Sequence, residues 1–181
     1  MDKFDTEKTV RILFSNLNLR YLNNNEMVFP EIKQYKLYES KYYLDNYAEF
    51  TYLEEKYGEK LAKKLTSPTY IKKVNDQIGY GLFAAENIRA DSLIEEYTGI
   101  IQEAHDLDIS DKETSAKTEY AWDYPDLIPG LPPMEINARY AGGVLRFVNH
   151  SFNPNLRIEH AVINNEWKIF LLQMKKEPLL L

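Results

Sequence analysis

Hydrophobic residues recur at helical spacing in the first third of the chain. Steps of three and four residues place apolar side chains on one helix face, and the first such stripe holds Val10, Leu13, Phe14 and Leu17. A turn-prone run of asparagines follows at residues 23–25. A second stripe contains Tyr43, Tyr47, Phe50, Leu53, Tyr57, Leu61 and Leu65. Residues 1–66 are therefore predicted to be mostly helix, with a break or kink at Gly58.

Both stripes are interpreted as packing surfaces, although the tyrosines of the second stripe could instead grip a partner protein. Pro68 ends the helical pattern, because proline does not continue a helix. The sequence thus predicts a helical N-terminal extension at residues 1–68 and a different domain at residues 69–181.

Beyond Pro68 the pattern changes to short runs of β-branched and aromatic residues separated by turn-forming residues, which is typical of strands. The runs are residues 70–74, 93–101, 120–124, 134–136, 156–163 and 167–173. Asn164 and Asn165 predict a hairpin turn between the last two. Residues 102–118 are charged and poorly periodic, which predicts an exposed insert with a short helix. The predicted fold class is mostly β with α, and the insert's carboxylates do not form a convincing metal site.

The composition narrows the classes of function. The chain has 181 residues and is 44% hydrophobic, which suits one domain with an extension. It contains no cysteine, which excludes disulfides and thiolate zinc sites and suits a reducing compartment. A net charge of −6 argues against direct nucleic-acid binding and favours a basic peptide partner, unless the acidic surface is merely solvated. No apolar run is long enough for a membrane span, and the first residues lack the apolar core of a secretory signal.

Two short motifs carry candidate chemistry. Gly79-Tyr80-Gly81 lets the backbone approach a ligand closely or adopt positive φ, but the same pattern also fits a bulge or hairpin. No third glycine follows at the spacing of a dinucleotide-binding fingerprint. Asn149-His150 directly follows apolar Phe147 and Val148, so both polar side chains are expected to be buried and hydrogen-bonded. By itself this second motif also fits a capped turn after a short buried element.

Four blocks in order give the chain a family resemblance: residues 79–81, residues 96–99, Tyr120, and residues 136–140 running into residues 146–151. Together they resemble the SET domain, the fold of many protein-lysine methyltransferases, over about residues 69–173. The compact form is similar to SET proteins of intracellular bacteria such as chlamydiae, where it would act as a bacterial effector. The resemblance implies small curved β-sheets around a knot-like crossing, S-adenosylmethionine as the cofactor and no catalytic metal.

The resemblance also implies roles for individual residues. Its cofactor-binding set is Gly79, Tyr80, Gly81, Tyr120, Arg146, Asn149 and His150. The glycine segment would contact the cofactor through its backbone, while Asn149 and His150 would hold the nucleoside and methionine ends. Tyr120 would stand where the cofactor pocket meets the lysine channel, and is the implied catalytic-site residue. The implied substrate is a lysine of a basic, histone-like protein, encountered in the cytoplasm or in the nucleus of a host cell.

The chain departs from the family pattern at several positions. Gly143 replaces a usual Asn, Phe152 a usual Cys or other small residue, and Asn137 a usual Asp. The family's terminal catalytic tyrosine has no counterpart in residues 175–181. Three hypotheses follow: a lysine methyltransferase, a catalytically degenerate SET scaffold that binds a peptide or partner, and a small-molecule or nucleotide binder that shares only the Gly-x-Gly motif.

Overall fold

The computed structural model describes residues 3–104 and 119–174. These residues form the helices α1 (Glu7–Asn16), α2 (Lys41–Asp45) and α3 (Tyr47–Ala62), with short 3-10 helices at Pro30–Gln34, Leu37–Glu39 and Val144–Phe147. The strands are β1 (Arg20–Tyr21), β2 (Glu26–Met27), β3 (Thr69–Asn75), β4 (Gly79–Ala84), β5 (Leu93–Glu96), β6 (Ile100–Glu103), β7 (Ala121–Tyr124), β8 (Met134–Asn137), β9 (Ala141–Gly142), β10 (Leu156–Ile163) and β11 (Glu166–Gln173). The prediction of a mostly β protein with helices is confirmed.

The strands form four small sheets. β3 and β4 form an antiparallel pair, and β11 lies between β10 and β5. A four-stranded sheet has the order β2-β6-β8-β7, and β1 pairs in parallel with β9. The hairpin turn predicted between β10 and β11 is present, with positive φ at both Asn164 and Asn165. Most of the predicted insert, residues 105–118, lies outside the described residues, as do residues 175–181.

The described part of residues 1–66 is mostly helical, as predicted, but it also contains two strands that the prediction did not include. Arg20–Tyr21 and Glu26–Met27 are strands, because their backbones pair in parallel with β9 and β6. Such pairing depends on segments far away in the chain, and the local sequence does not reveal it. The N-terminal region therefore supplies strands to two sheets whose other members follow residue 69. The domain boundary at residue 68 stays a prediction.

The predicted break in the second helical stripe is wrong. α3 continues through Gly58, which is buried against Ile163 of β10. The helix instead ends after Ala62, and Lys64 just beyond it has positive φ. Most members of this stripe face the core, where the ring centroids of Tyr57 and Phe170 lie 5.5 Å apart. Two do not: Tyr47 is 57% exposed and Leu65 is 58% exposed.

The single strand predicted at residues 93–101 is split into β5 and β6 by Tyr97, Thr98 and Gly99. The backbone groups of this interruption bond to other segments. The Thr98 carbonyl accepts a hydrogen bond from the Gly143 N–H, and the Thr98 hydroxyl donates one to the Leu22 carbonyl. Asn25 Oδ1 accepts one from the Gly99 N–H. Three parts of the chain therefore meet at Thr98.

This meeting point leaves no room for side chains at Gly142 and Gly143. A Cβ on Gly142 would lie 2.6 Å from Ala138 Cβ and 2.7 Å from the Thr98 carbonyl oxygen. A Cβ on Gly143 would lie 2.5 Å from the Thr98 hydroxyl oxygen. The glycine at position 143, where the family usually carries Asn, thus fits the close approach of Thr98 in this chain.

A buried ion cluster connects the end of α3 to the sheet formed by β5, β10 and β11. Glu96 is 1% exposed, and its two carboxylate oxygens lie 2.6 Å from Lys64 Nζ and 2.9 Å from Lys168 Nζ. A buried carboxylate without such partners would be strongly destabilising. Burial raises the pKa of the neighbouring Glu95, while hydrogen bonds and the Lys64 charge oppose the rise.

None of the helices within residues 3–104 and 119–174 has the length and apolar character needed to cross a membrane.

We expect Gly142→Ala to lower the free energy of unfolding by about 1–3 kcal/mol or more, because the added methyl group would overlap backbone atoms. Gly58→Ala is the matched control. There the new Cβ would make ordinary contacts at 3.4 and 3.5 Å, and removing a helical glycine should add about 0.5–1 kcal/mol. Urea unfolding of both variants measures the difference. Equal effects of the two substitutions would contradict the close approach at Gly142.

Glu95→Gln should stabilise the protein at pH 7, and this advantage should shrink towards pH 4. A carboxyl group whose pKa is raised by folding stabilises the native state below its unfolded pKa and loses that contribution as the pH rises through the folded pKa. Glutamine imitates the protonated form at every pH. Urea unfolding at both pH values tests this, with the exposed Glu55→Gln as control. A stability difference that does not change with pH would refute it.

Candidate active site

The structure brings together the two motifs that the sequence analysis singled out. At the start of β4, the carbonyl of Tyr80 accepts a long hydrogen bond of 3.5 Å from Asn149 Nδ2. The ring of Tyr80 also meets Phe147 edge-on, with centroids 6.2 Å apart. Residues about 70 positions apart in the sequence thus form one local surface.

The absence of a side chain at Gly81 makes this contact possible. A Cβ there would lie 2.9 Å from Asn149 Nδ2, so a larger residue would push the amide away. Gly79 has φ of +77°, a backbone conformation that other residues rarely adopt. The two glycines therefore have different physical roles: Gly79 permits the turn into β4, and Gly81 permits the close approach of Asn149.

Asn149 and His150 are exposed, and the expectation that both are buried is wrong. Val148 caps the 3-10 helix, its N–H donating to the Leu145 carbonyl, and beyond it the chain leaves the core. The His150 ring packs edge-on against Phe152, which is fully exposed, with centroids 5.1 Å apart. Phe147 is buried, but the polar residues Asn149 and His150 that follow it are not. Their side chains are available to a ligand.

Arg146 connects this surface to Tyr120. Its Nε donates to the Ala138 carbonyl at 3.1 Å, and its Nη2 donates to the Arg139 carbonyl at 3.2 Å. The guanidinium carbon lies 4.6 Å from the centre of the Tyr120 ring, as in a cation–π contact. Burial lowers the pKa of Arg146, and the nearby tyrosines Tyr120 and Tyr97 oppose this. An arginine keeps its charge under such conditions, so a cation stands beside Tyr120.

Tyr97 is a site residue that the sequence analysis missed. It is 5% exposed, and its hydroxyl donates a hydrogen bond of 2.6 Å to the Tyr120 carbonyl, which also accepts one from the Ala138 N–H. Burial raises the pKa of Tyr97 well above its usual range, so the hydroxyl stays protonated. Its position directly after Glu96 in the second family block was the available signal.

Within the described ranges, no three residues of the metal-binding types cluster closely enough to hold an ion. The site instead offers carbonyl groups, an amide, an imidazole and aromatic rings. These groups can bind a small polar molecule, and the fixed Tyr97–Tyr120–Arg146 cluster can provide a partly desolvated surface beside it.

Arg146→Lys should lower the free energy of unfolding by about 1–3 kcal/mol, because lysine cannot reproduce the planar fork that reaches two carbonyls and covers the Tyr120 ring. Arg11→Lys is the control. Arg11 also lies over a tyrosine ring, that of Tyr21, and makes an exposed ion pair with Glu7, but within the described residues it has no bonds to two carbonyls like those of Arg146. Its replacement should therefore change stability by less than about 1 kcal/mol. Denaturant unfolding compares the two, and a similar small effect at both positions would contradict the anchoring role of Arg146.

Comparison with known proteins shows the family. The model of the SET domain matches residues 79–176. The chain is 24% identical over 131 residues to the Drosophila melanogaster histone-lysine N-methyltransferase trr, covering 71% of this chain and 5% of that protein. It is 34% identical over 88 residues to the Arabidopsis thaliana H3 lysine-9 specific enzyme SUVH5, covering 49% of this chain and 10% of that protein. The chain therefore spans a tenth or less of the length of these relatives.

The chain is also similar in part to solved structures of polycomb repressive complex 2. A polycomb repressive complex 2 in the basal state has 25% sequence identity and a TM-score of 0.49, covering 61% of this chain and 14% of its own. A complex described as ctPRC2 in an autoinhibited conformation bound to S-adenosylmethionine has 24% identity, a TM-score of 0.49 and the same coverage. The family model covers more than half of the residues, which confirms the predicted resemblance: the chain belongs to the SET domain family.

Proposed function

We propose that this chain transfers a methyl group from S-adenosylmethionine to a lysine side chain of a protein substrate. The chain is a member of the SET domain family, and one observation carries the proposal. The strand that contains Gly79, Tyr80 and Gly81 accepts a hydrogen bond from Asn149, beside the Tyr97–Tyr120–Arg146 cluster. The names of the similar proteins, histone-lysine N-methyltransferases of an insect, a plant and a fungus, support the same reaction class.

The residues present fit this cofactor. Gly81 allows Asn149 to lie against the strand, and the exposed amide of Asn149 and imidazole of His150 offer polar contacts to the nucleoside and methionine ends. Gly79 and Tyr80 would contribute backbone groups, and Arg146 holds the segment that carries Asn149 and His150. When bound, S-adenosylmethionine supplies an electrophilic methyl group on a sulfonium.

The protein must also present a neutral lysine amine, since an ammonium has no lone pair with which to attack. A free lysine has a pKa of about 10.4. The aromatic surface of Tyr97 and Tyr120 excludes water, and desolvation disfavours the ammonium form. The Arg146 guanidinium over the Tyr120 ring adds repulsion between like charges. Both effects lower the pKa of a lysine placed there and increase the neutral fraction near pH 7.

Tyr97 would act as a positioning residue in this reaction. Its hydroxyl is committed to the Tyr120 carbonyl at 2.6 Å, and the Ala138 N–H fixes the same carbonyl from a second direction. The backbone next to the lysine position is therefore held before the substrate arrives. Correct alignment of two reactants can itself be worth roughly 7–11 kcal/mol of the barrier.

A basic protein segment is the proposed substrate class. The chain carries a net charge of −6, so long-range electrostatics favour the approach of cationic peptides. The similar proteins are named as histone-lysine enzymes, which makes a histone-like tail the first substrate to test.

The decisive experiment combines cofactor binding with methyl transfer. We expect the whole chain to bind S-adenosylmethionine by calorimetry and to transfer a radiolabelled methyl group to histones. Asn149→Ala and His150→Ala should each weaken cofactor binding by about tenfold, the equivalent of one lost polar contact of about 1.4 kcal/mol. Because both side chains are exposed, the variants should keep the wild-type unfolding midpoint. Asn153→Ala, exposed in the same loop, is the control.

The outcomes separate the hypotheses. Failure of the wild-type chain to bind the cofactor, or wild-type binding by both variants, would overturn the proposed site. Cofactor binding without transfer to any protein would support the degenerate scaffold over the enzyme. Binding of ATP in place of S-adenosylmethionine would support the nucleotide binder.

A further inference from the structure

A cavity lies between β7 and the sheet of β10 and β11. Its volume is about 280 Å³. Four rings line it, those of Tyr42, Trp122, His160 and Trp167, and the carboxylate residue Asp123 lies at its edge. None of these residues belongs to the proposed cofactor site. We call this space the Trp122 cavity.

The rings are arranged around Trp167 at different angles. Tyr42 meets Trp167 edge-on, with centroids 5.9 Å apart and planes at 76°, while His160 is tilted against it at 5.2 Å. Trp122 is 38% exposed and forms the outer wall. Aromatic faces carry partial negative charge and attract cations placed within about 6 Å. A space lined by four aromatic rings can therefore attract an ammonium more strongly than a neutral polar group.

Asp123 adds a full negative charge to the same place. It is exposed, and among the described residues its carboxylate makes no ion pair. A carboxylate beside aromatic walls provides both attractions that an alkylammonium can use, while the walls pack against its methylene groups.

The ring of Trp167 forms a buried wall of the cavity. Trp167 is 4% exposed, and its Nε1 has no hydrogen-bond partner within the described part of the chain. Because this nitrogen is closed off from solvent-sized molecules, the contribution of Trp167 to ligand binding is the contact surface of its ring.

The size of the cavity fits one side chain. Pockets for whole cofactors and drug-sized ligands range from about 300 to 1,000 Å³, and this cavity lies just below that range.

The position of the Trp122 cavity fits a peptide that also reaches Tyr120. Trp122 follows Tyr120 by two residues, about 6.5–7 Å along an extended backbone. Alternate residues of an extended peptide have the same spacing.

We propose that the Trp122 cavity is a second substrate subsite, which binds the side chain of a lysine two residues away from the methylated lysine. The inference rests on the proposed function, because Tyr120 is taken as the position of the methylated lysine. The cation preference of the cavity rests on the residues of the cavity alone.

Intrinsic fluorescence tests the subsite directly, because the only two tryptophans in the chain, Trp122 and Trp167, both line the cavity. The probe is a capped pentapeptide with lysines at positions two and four, titrated without cofactor. We expect a saturable fluorescence change and about tenfold weaker binding when one lysine is replaced by norleucine, which keeps the length but removes the charge.

Variants assign the effect to named residues. Asp123→Asn and Trp122→Leu should each reduce the lysine-over-norleucine preference by at least threefold, with Trp167 as the remaining reporter in the second variant. Asp126→Asn is the matched control, because Asp126 is exposed nearby but lines a different cavity. Equal binding of both peptides, or identical behaviour of the two aspartate variants, would overturn the subsite.

The test also distinguishes failure of this subsite from failure of the proposed function. If methyl transfer is absent but the lysine preference and its dependence on Asp123 persist, the cation site stands and the enzyme proposal fails. If methyl transfer occurs with equal kcat/KM for the two-lysine and one-lysine peptides and equal affinity, the subsite fails and the enzyme proposal stands.

Discussion

The close backbone contact between Thr98 and the Gly142–Gly143 segment is the constraint on which the rest of the structure depends. It interrupts the strand that would otherwise continue from β5 into β6, and it leaves the Thr98 hydroxyl free to reach the Leu22 carbonyl. Gly142 also pairs with Tyr21 in the parallel ladder of β1 and β9. A contact made without side chains thus aligns the N-terminal region, the central sheet and the segment that leads to Arg146.

A buried carboxylate and a half-buried guanidinium are stabilised in different ways near this contact. Glu96 is neutralised by two lysines that come from distant parts of the chain, an arrangement that fixes the end of α3 against the sheet. Arg146 is held by two carbonyl groups and the faces of two aromatic rings. In the first arrangement, the Glu96 carboxylate and the two lysine ammonium groups pair with one another inside the fold. The second places the Arg146 guanidinium beside Tyr120, with the Glu119 carboxylate close enough to interact with it electrostatically.

The sequence predicted the parts of this structure that depend on local periodicity. The hydrophobic stripes located α1 and α3, and the paired asparagines located the turn between β10 and β11. The family blocks identified the segments that meet at Tyr80 and Asn149. These features are encoded by neighbouring residues or by an ordered motif, so one chain is enough to find them.

The parts that the sequence did not predict depend on contacts between distant segments. Nothing in the composition of Arg20–Tyr21 indicates a strand, because the strand exists only through β9. Gly58 suggested a broken helix, but α3 continues through it and packs it against Ile163 of β10. Asn149 and His150 are exposed because the chain leaves the core after Val148. The role of Tyr97 depends on its hydrogen bond to the carbonyl of Tyr120, which lies 23 residues later in the sequence.

The parallel pairing of β1 with β9 has a consequence for biosynthesis. Arg20 emerges from the ribosome about 120 residues before its partner Ala141. Until then its strand-forming groups must remain hydrated, and closing so long a loop costs entropy that grows with the logarithm of its length. Folding that requires such long-range pairing is slow compared with helix formation. The β1 segment therefore waits for a partner that is translated about 120 residues later, and this pairing forms only after Ala141 has emerged.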